Sequence, residues 1–170
     1  MSCVVYLVRH AIAAPAAAGM SDSDRALTAE GERKMRHVAA GLKRLGVAPD
    51  VVLSSPLRRA VETADIVVDV LARKVGVKLY PPLAPGREPV DVLHGLNRYR
   101  SARELVLVGH EPGIGRLASQ LLTESADLAP LPFKKGGVAA FRVEILPPEA
   151  ASPLLWFMAP KQLRAVAGRE

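Results

Sequence analysis

The sequence predicts an α/β domain of three layers, with helices on both faces of a largely parallel sheet. Two observations carry that expectation. Short β-branched apolar runs, among them Val4-Val5-Tyr6-Leu7-Val8 and Leu105-Val106-Leu107-Val108, alternate along the chain with segments of helical period. Runs of this kind, bounded by turn signals, read as buried strands, and their alternation with helices is the mark of an α/β sheet. The length of 170 residues fits one domain spanning 1–170, of which about two-thirds of the unfolded surface is buried on folding.

The first run ends at Arg9-His10, and a loop follows over residues 11–25. Thr28 suits an N-cap, and Met35, Val38, Ala39, Leu42 and Leu45 recur at spacings of three and four until Gly46 ends the helix. His37 falls on the polar face of that helix. Val51-Val52-Leu53 is a second strand. Pro56 suits a first helical position, and Ala60, Thr63, Ala64, Val67 and Leu71 form one apolar stripe up to Gly76. Val77-Lys78-Leu79-Tyr80 is a short strand, followed by a Pro- and Gly-rich loop over residues 81–89. A helix is expected over residues 90–99, with His94 on its surface, and another over residues 114–122 after Pro112-Gly113. Strands over residues 137–146 and 153–158 complete the sheet, and Ala159-Pro160-Lys161 reads as a solvated tail.

The net charge of +6, from 23 basic and 17 acidic residues, is scattered rather than clustered, and only seven residues are aromatic. Neither feature suits a nucleic-acid partner. The single Cys3 cannot form an internal disulfide and reads as a buried side chain of the first run. Residues 11–18 contain small-residue patterns like those of cleavage sites. No basic segment precedes the apolar run, however, and Arg9-His10 interrupts it well short of a spanning length. A cytoplasmic protein without a membrane segment is expected, monomeric by default, and no histidine or cysteine spacing resembles a zinc site.

Two histidines stand where apolar runs end, His10 after Val8-Arg9 and His110 after Val108-Gly109. Open α/β sheets keep their binding crevices at the carboxyl ends of strands, so the two imidazoles would face one pocket. Ser54-Ser55-Pro56-Leu57-Arg58-Arg59 follows a third run and adds guanidinium groups to the same edge, a set that suits a dianionic phosphate. Either histidine alone is more often a structural one; the joint pattern reverses that balance. Arg9 and His10 are consecutive, and consecutive strand residues point to opposite faces. Both reach the crevice if the strand ends at Arg9 and the chain turns at His10.

Four motifs occur in order: Leu7-Val8-Arg9-His10-Ala11, Leu27-Thr28-Ala29-Glu30-Gly31, Ser54-Ser55-Pro56-Leu57-Arg58-Arg59-Ala60-Val61-Glu62-Thr63 and Val108-Gly109-His110-Glu111-Pro112. From about Val4 to about Pro160 the chain resembles the histidine phosphatase superfamily, and in its shortness the SixA-type phosphohistidine phosphatases. The resemblance implies a phosphoglycerate mutase-like fold with a mixed sheet in which one strand is antiparallel. It implies that His10 is the nucleophile and carries a transient phosphoryl group, that Arg9, Arg59 and His110 bind the phosphate, and that no metal or other cofactor takes part. Of the paired arginines it selects Arg59, leaving Arg58 to solvent or to an auxiliary contact.

Many members of that superfamily place a carboxylate after the second helix as general acid, and the candidates here are Glu88 and Glu111. Neither is well placed by sequence. A phosphoramidate such as phosphohistidine asks for less acid assistance than an alkyl phosphate, so the expected substrate is a phosphohistidine-bearing protein. A small phosphoester, pyrophosphate or polyphosphate is the alternative, and a non-catalytic phosphohistidine-binding module is the alternative of another class. The loops over residues 11–25 and 81–89 would flank the pocket, the first as a small-residue lip that turns acidic at Asp22 and Asp24. Lys134-Lys135-Gly136-Gly137 reads either as a solvated turn or as a contact to phosphate or an acidic partner.

Overall fold

The computed structural model describes residues 2–72 and 74–168. Strand β1 (Cys3–Arg9) is followed by α1 (Ala29–Arg44), β2 (Val51–Ser54), α2 (Arg58–Leu71), β3 (Val77–Leu79), α3 (Pro89–Gly95), β4 (Glu104–Gly109), α4 (Gly113–Thr123), β5 (Val138–Val143), β6 (Leu154–Met158) and α5 (Pro160–Ala167). The strands form one sheet in the order β3-β2-β4-β1-β5-β6. Strands β1 to β4 pair in parallel, and β5 runs antiparallel to both its neighbours. A single strand therefore opposes the rest, as the family resemblance implied.

Successive strand residues feed two cores. Val5 and Leu7 of β1, Leu105 and Leu107 of β4 and Phe141 of β5 pack with Val92 and Leu93 of α3 and with Ile114, Leu117 and Leu121 of α4. Tyr6, Val8, Val106 and Val108 point the other way, into Met35, Val38 and Leu42 of α1, Ala60, Ala64 and Val67 of α2 and Leu163 of α5. Helices thus cover both faces, and central strands buried on both sides need no polar alternation. The three-layer α/β fold expected from the sequence is the one observed. Thr28 caps α1, its hydroxyl accepting from Gly31 N at 2.9 Å. Cys3 is buried, and burial pushes its thiol up to about 11.

Several boundaries differ from the sequence reading. Pro56 is not the first helical residue: Leu57 is the N-cap of α2, extended at φ −69 and ψ 135, and the helix stops at Leu71 rather than near Gly76. Ser55 explains the delay, because its hydroxyl takes the Leu57 N–H at 3.3 Å and holds the turn open before the helix starts. The helix expected over residues 90–99 breaks at Gly95 into a 3₁₀ turn over Leu96–Tyr99. There the Tyr80 hydroxyl donates to Val92 O at 2.7 Å, taking the carbonyl that the next helical turn would use. β5 ends at Val143, short of residue 146.

The reading of residues 159–161 as a solvated tail is overturned. Pro160 opens α5, where the Gln162 side chain accepts from Ala159 N at 2.7 Å and Leu163 is fully buried. Eight residues are too few for a periodicity argument, so only packing reveals this helix. It lies so close to α1 that a Cβ on Gly41 would collide with the Leu163 carbonyl. Among the described residues no helix is long and apolar enough to cross a membrane.

Gly41→Ala is expected to force α1 and α5 apart and to lower stability by about 1–3 kcal/mol, the usual scale of overpacking. Chemical denaturation of the two proteins checks this; an unchanged midpoint would mean that the helices separate freely.

Candidate active site

β1 and β4 are parallel neighbours in the register Arg9 opposite Gly109, which sets their carboxyl ends side by side. β1 ends at Arg9, as the consecutive Arg-His pair required, and His10 N then donates to Gly109 O at 3.0 Å. The His10 and His110 rings lie 5.0 Å apart between centroids, and both side chains are buried. His10 Nδ1 is 2.7 Å from the carbonyl of Ala11. A carbonyl only accepts, so the proton is assigned to Nδ1 and the lone pair to Nε2.

The turn after β1 is pinned from three sides. Ala11 N donates to Thr63 Oγ1 at 3.0 Å, and that hydroxyl donates to Arg59 O at 2.6 Å, tying the turn to α2. Leu27 N donates to Glu62 at 2.6 Å. Gly136 N bridges the carbonyls of Arg9 and His10 at 3.1 and 3.2 Å, from a left-handed turn at φ +80 that favours glycine. These bonds give Glu62, Thr63 and Gly136 positioning roles that the motifs alone did not disclose.

Two arginines approach the same edge. Arg9 donates from one terminal nitrogen to Phe133 O at 2.6 Å. Arg59, 5% exposed, donates to Asp22 O at 2.6 Å and to the Asp22 carboxylate at 2.9 Å. Asp22 belongs to the loop read from sequence as a small-residue lip, and it is the functional neighbour that sequence reasoning missed. Its acidity was visible; its reach to a residue 37 positions away was not. Arg58 instead faces outward and pairs with Glu62 at 2.7 Å.

His110 Nε2 is 2.8 Å from the Ser55 hydroxyl. Two buried side-chain nitrogens, His110 Nδ1 and Arg9 Nε, have no hydrogen-bond partner among the described residues. A buried polar group left unsatisfied costs about 1–3 kcal/mol, so such pairs are rare outside sites built for a ligand. Burial pulls His10 down to about 4, with Arg59, Arg9 and Lys135 reinforcing the fall and the Ala11 carbonyl opposing it. Burial likewise pulls His110 down to about 3, helped by His10 and Arg59 and opposed by Asp22. Both imidazoles are neutral at pH 7, flanked by two guanidinium groups.

The two carboxylates considered as acids are engaged elsewhere. Glu88 is exposed and accepts from Arg116 at 3.0 and 3.2 Å, and Arg116 also pairs with Asp127. Glu111 accepts from Phe133 N at 2.7 Å, which braces the carbonyl that holds Arg9. Arg25 and Arg59 hold the Asp22 carboxyl below the usual carboxylate range. Lys134 and Lys135 are exposed on the turn that precedes β5. Among the described residues no cluster of three or more His, Cys, Asp or Glu side chains could hold a metal ion.

Comparison with known proteins gives a consistent picture. The family model of the histidine phosphatase superfamily, branch 1, matches residues 5–83. An uncharacterised protein of Picosynechococcus sp. is 36% identical over 142 residues, which cover 81% of this chain and 84% of the relative. The structure of the protein histidine phosphatase SixA complexed with tungstate superposes with a TM-score of 0.83 at 28% identity, covering 94% of this chain and 99% of that one. An Agrobacterium tumefaciens protein assigned as a phosphohistidine phosphatase SixA gives a TM-score of 0.76 at 26% identity, with 93% and 98% covered.

The low basicity of the two histidines sets a pH dependence. Unfolded, each binds a proton near the ordinary 6.5; folded, they do so only near 4 and 3, so the unfolded state holds more protons in between. Stability should therefore fall as pH drops from about 6.5 toward 4, and His110→Asn should flatten part of that fall in thermal melts. Asp22→Asn should free Arg59 donors and tighten inorganic phosphate binding by about two- to fivefold, the scale of one partly exposed ion pair. Calorimetric titration with phosphate reads that change directly.

Proposed function

The chain belongs to the histidine phosphatase superfamily, SixA type, as a phosphatase that works through a histidine intermediate, and we propose that it removes the phosphoryl group from phosphohistidine in proteins. The observation that carries this reading is the His10 tautomer. A buried, neutral imidazole holds its proton on Nδ1 against the Ala11 carbonyl and keeps Nε2 free to attack. In the first step the Nε2 lone pair bonds to phosphorus in line with the leaving nitrogen. The substrate P–N bond breaks, its electron pair stays on the substrate imidazole, and that ring takes a proton from solvent. In the second step a water oxygen bonds to phosphorus, the pair of the P–Nε2 bond returns to His10, and the surplus water proton leaves with phosphate or solvent.

Arg9 and Arg59 act here as forked donors to the equatorial oxygens, and His110 as a further donor on the opposite side. Such charge stabilisation is the main catalytic contribution a protein makes to phosphoryl transfer. The tungstate bound by the SixA relative, an oxyanion, supports an anion site in this fold. The unpartnered nitrogens of Arg9 and His110 support it in this chain. Two guanidinium groups supply the positive charge, so no step calls for a metal ion.

The carboxylates favour phosphohistidine over an alkyl phosphate. An alkoxide leaving group needs a proton from a positioned acid. Glu88 is neutralised by Arg116, Glu111 is bonded to Phe133, and Asp22 is held ionised by two arginines. An imidazole leaving group makes a weaker demand.

His10→Ala should abolish turnover and keep the fold, as circular dichroism would show. Arg59→Ala should lower kcat by about 10²- to 10³-fold, the loss seen when one charge-stabilising donor is removed; a change confined to KM would reduce Arg59 to docking. The deciding assay is phosphate release, in the presence of a metal chelator, from a phosphohistidine-bearing protein and from a panel of small phosphoesters. Selective, His10-dependent release from phosphohistidine is expected. Preference for a phosphoester would overturn the substrate, and no release from any of them would leave a binding module.

A further inference from the structure

We propose that the groove between α1 and α5, beside His10, docks an acidic and aliphatic segment of the phosphohistidine protein. The inference rests on the phosphohistidine reading and names the chemistry of the partner. The groove is a shallow cavity of about 110 Å³. It starts at Ala11, the residue after the nucleophile, and Gly136, bonded to the His10 carbonyl at 3.2 Å, closes the end nearest the site. A substrate histidine that reaches a buried nucleophile must lay its flanking residues across the rim of the pocket. On this side the rim is the groove.

The lining specifies what those residues should be. Ile12, Met35, Val38 and Pro160 make an apolar floor, and Lys34, Lys135 and Arg164 stand around it. Glu30 pairs with Lys34 one helical turn away. Glu30 also lies near enough to Arg164 for the two charges to attract. Three cations that share the Glu30 carboxylate leave the rim net positive above an apolar floor, which complements an aliphatic side chain bordered by aspartate or glutamate. The charge of Lys135 also reaches His10, adding the smallest part of the fall in its basicity after Arg59 and Arg9. A small phosphorylated molecule has no flanking chain with which to fill the groove, so the groove separates protein substrates from small ones.

The test uses two synthetic peptides with one phosphohistidine each, flanked by leucine with aspartate and glutamate in one and by leucine with lysine in the other. Free phosphohistidine serves as the small substrate. The full chain should turn over the acidic peptide with a kcat/KM about tenfold above that of the basic one, and the preference should shrink as salt screens the rim charges. In Lys34→Glu/Arg164→Glu the preference should fall to within about twofold while turnover of free phosphohistidine stays the same; Lys135 is left alone because its charge reaches His10. Fluorescence binding of the unphosphorylated acidic peptide reads the groove without turnover, and its affinity should fall in the same variant. Equal rates on the two peptides, or a preference that survives the charge reversal, would overturn the proposal. Failure to hydrolyse either peptide or free phosphohistidine would instead strike the substrate reading, so the two failures are distinct.

Discussion

The site depends on the register between β1 and β4. Arg9 opposite Gly109 sets the residues that follow, His10 and His110, next to each other at the carboxyl ends of the two central strands. A one-residue slip would exchange the faces of every β1 side chain, moving Val5 and Leu7 out of one core and Tyr6 and Val8 out of the other. Because both faces are buried, such a slip is opposed by two hydrophobic cores at once. The precision of the histidine pair is thus inherited from packing that has no chemical role of its own.

The same burial sets the chemistry. A histidine near the surface would be partly protonated at neutral pH and a poor nucleophile. At 7% and 5% exposure, His10 and His110 are kept neutral by desolvation, and the neighbouring guanidinium groups push in the same direction. In the proposed mechanism, positive charge close to His10 therefore serves twice: it disfavours protonation of the imidazole and attracts the phosphoryl group. The Ala11 carbonyl opposes protonation of neither nitrogen; it selects which nitrogen carries the proton.

Much of this was legible in the sequence because the strands are continuous apolar runs and the chemistry sits at their ends. His10, Arg9, His110 and Arg59 could be named from four ordered motifs, and the layer architecture followed from the alternation of elements. What escaped was set by contacts far apart in the chain. The Ser55 hydroxyl, which delays the start of α2, also meets His110 across 55 positions, a contact with no local signal. The single antiparallel strand came from family resemblance, since periodicity carries no direction. α5 was missed because it is short and is stabilised by packing on α1. Asp22 was seen as an acid but not as a partner of Arg59.

The two arginines are neutralised in different ways, and the difference assigns them different parts. A buried guanidinium without a partner is costly, so each must be compensated when no phosphate is bound. Arg9 leans on a carbonyl, a neutral dipole, and its Nε has no partner. Its position is set by the brace from Glu111 through Phe133. Arg59 leans on a carboxylate that is 57% exposed and also shared with Arg25. A dianionic phosphate can take over those donors, while Asp22 keeps its bond to Arg25 and its access to water. Arg9 is therefore the fixed donor of the site and Arg59 the exchangeable one. Return of the Asp22 carboxylate to Arg59 would then favour departure of the product anion once the phosphoryl group has been cut from His10.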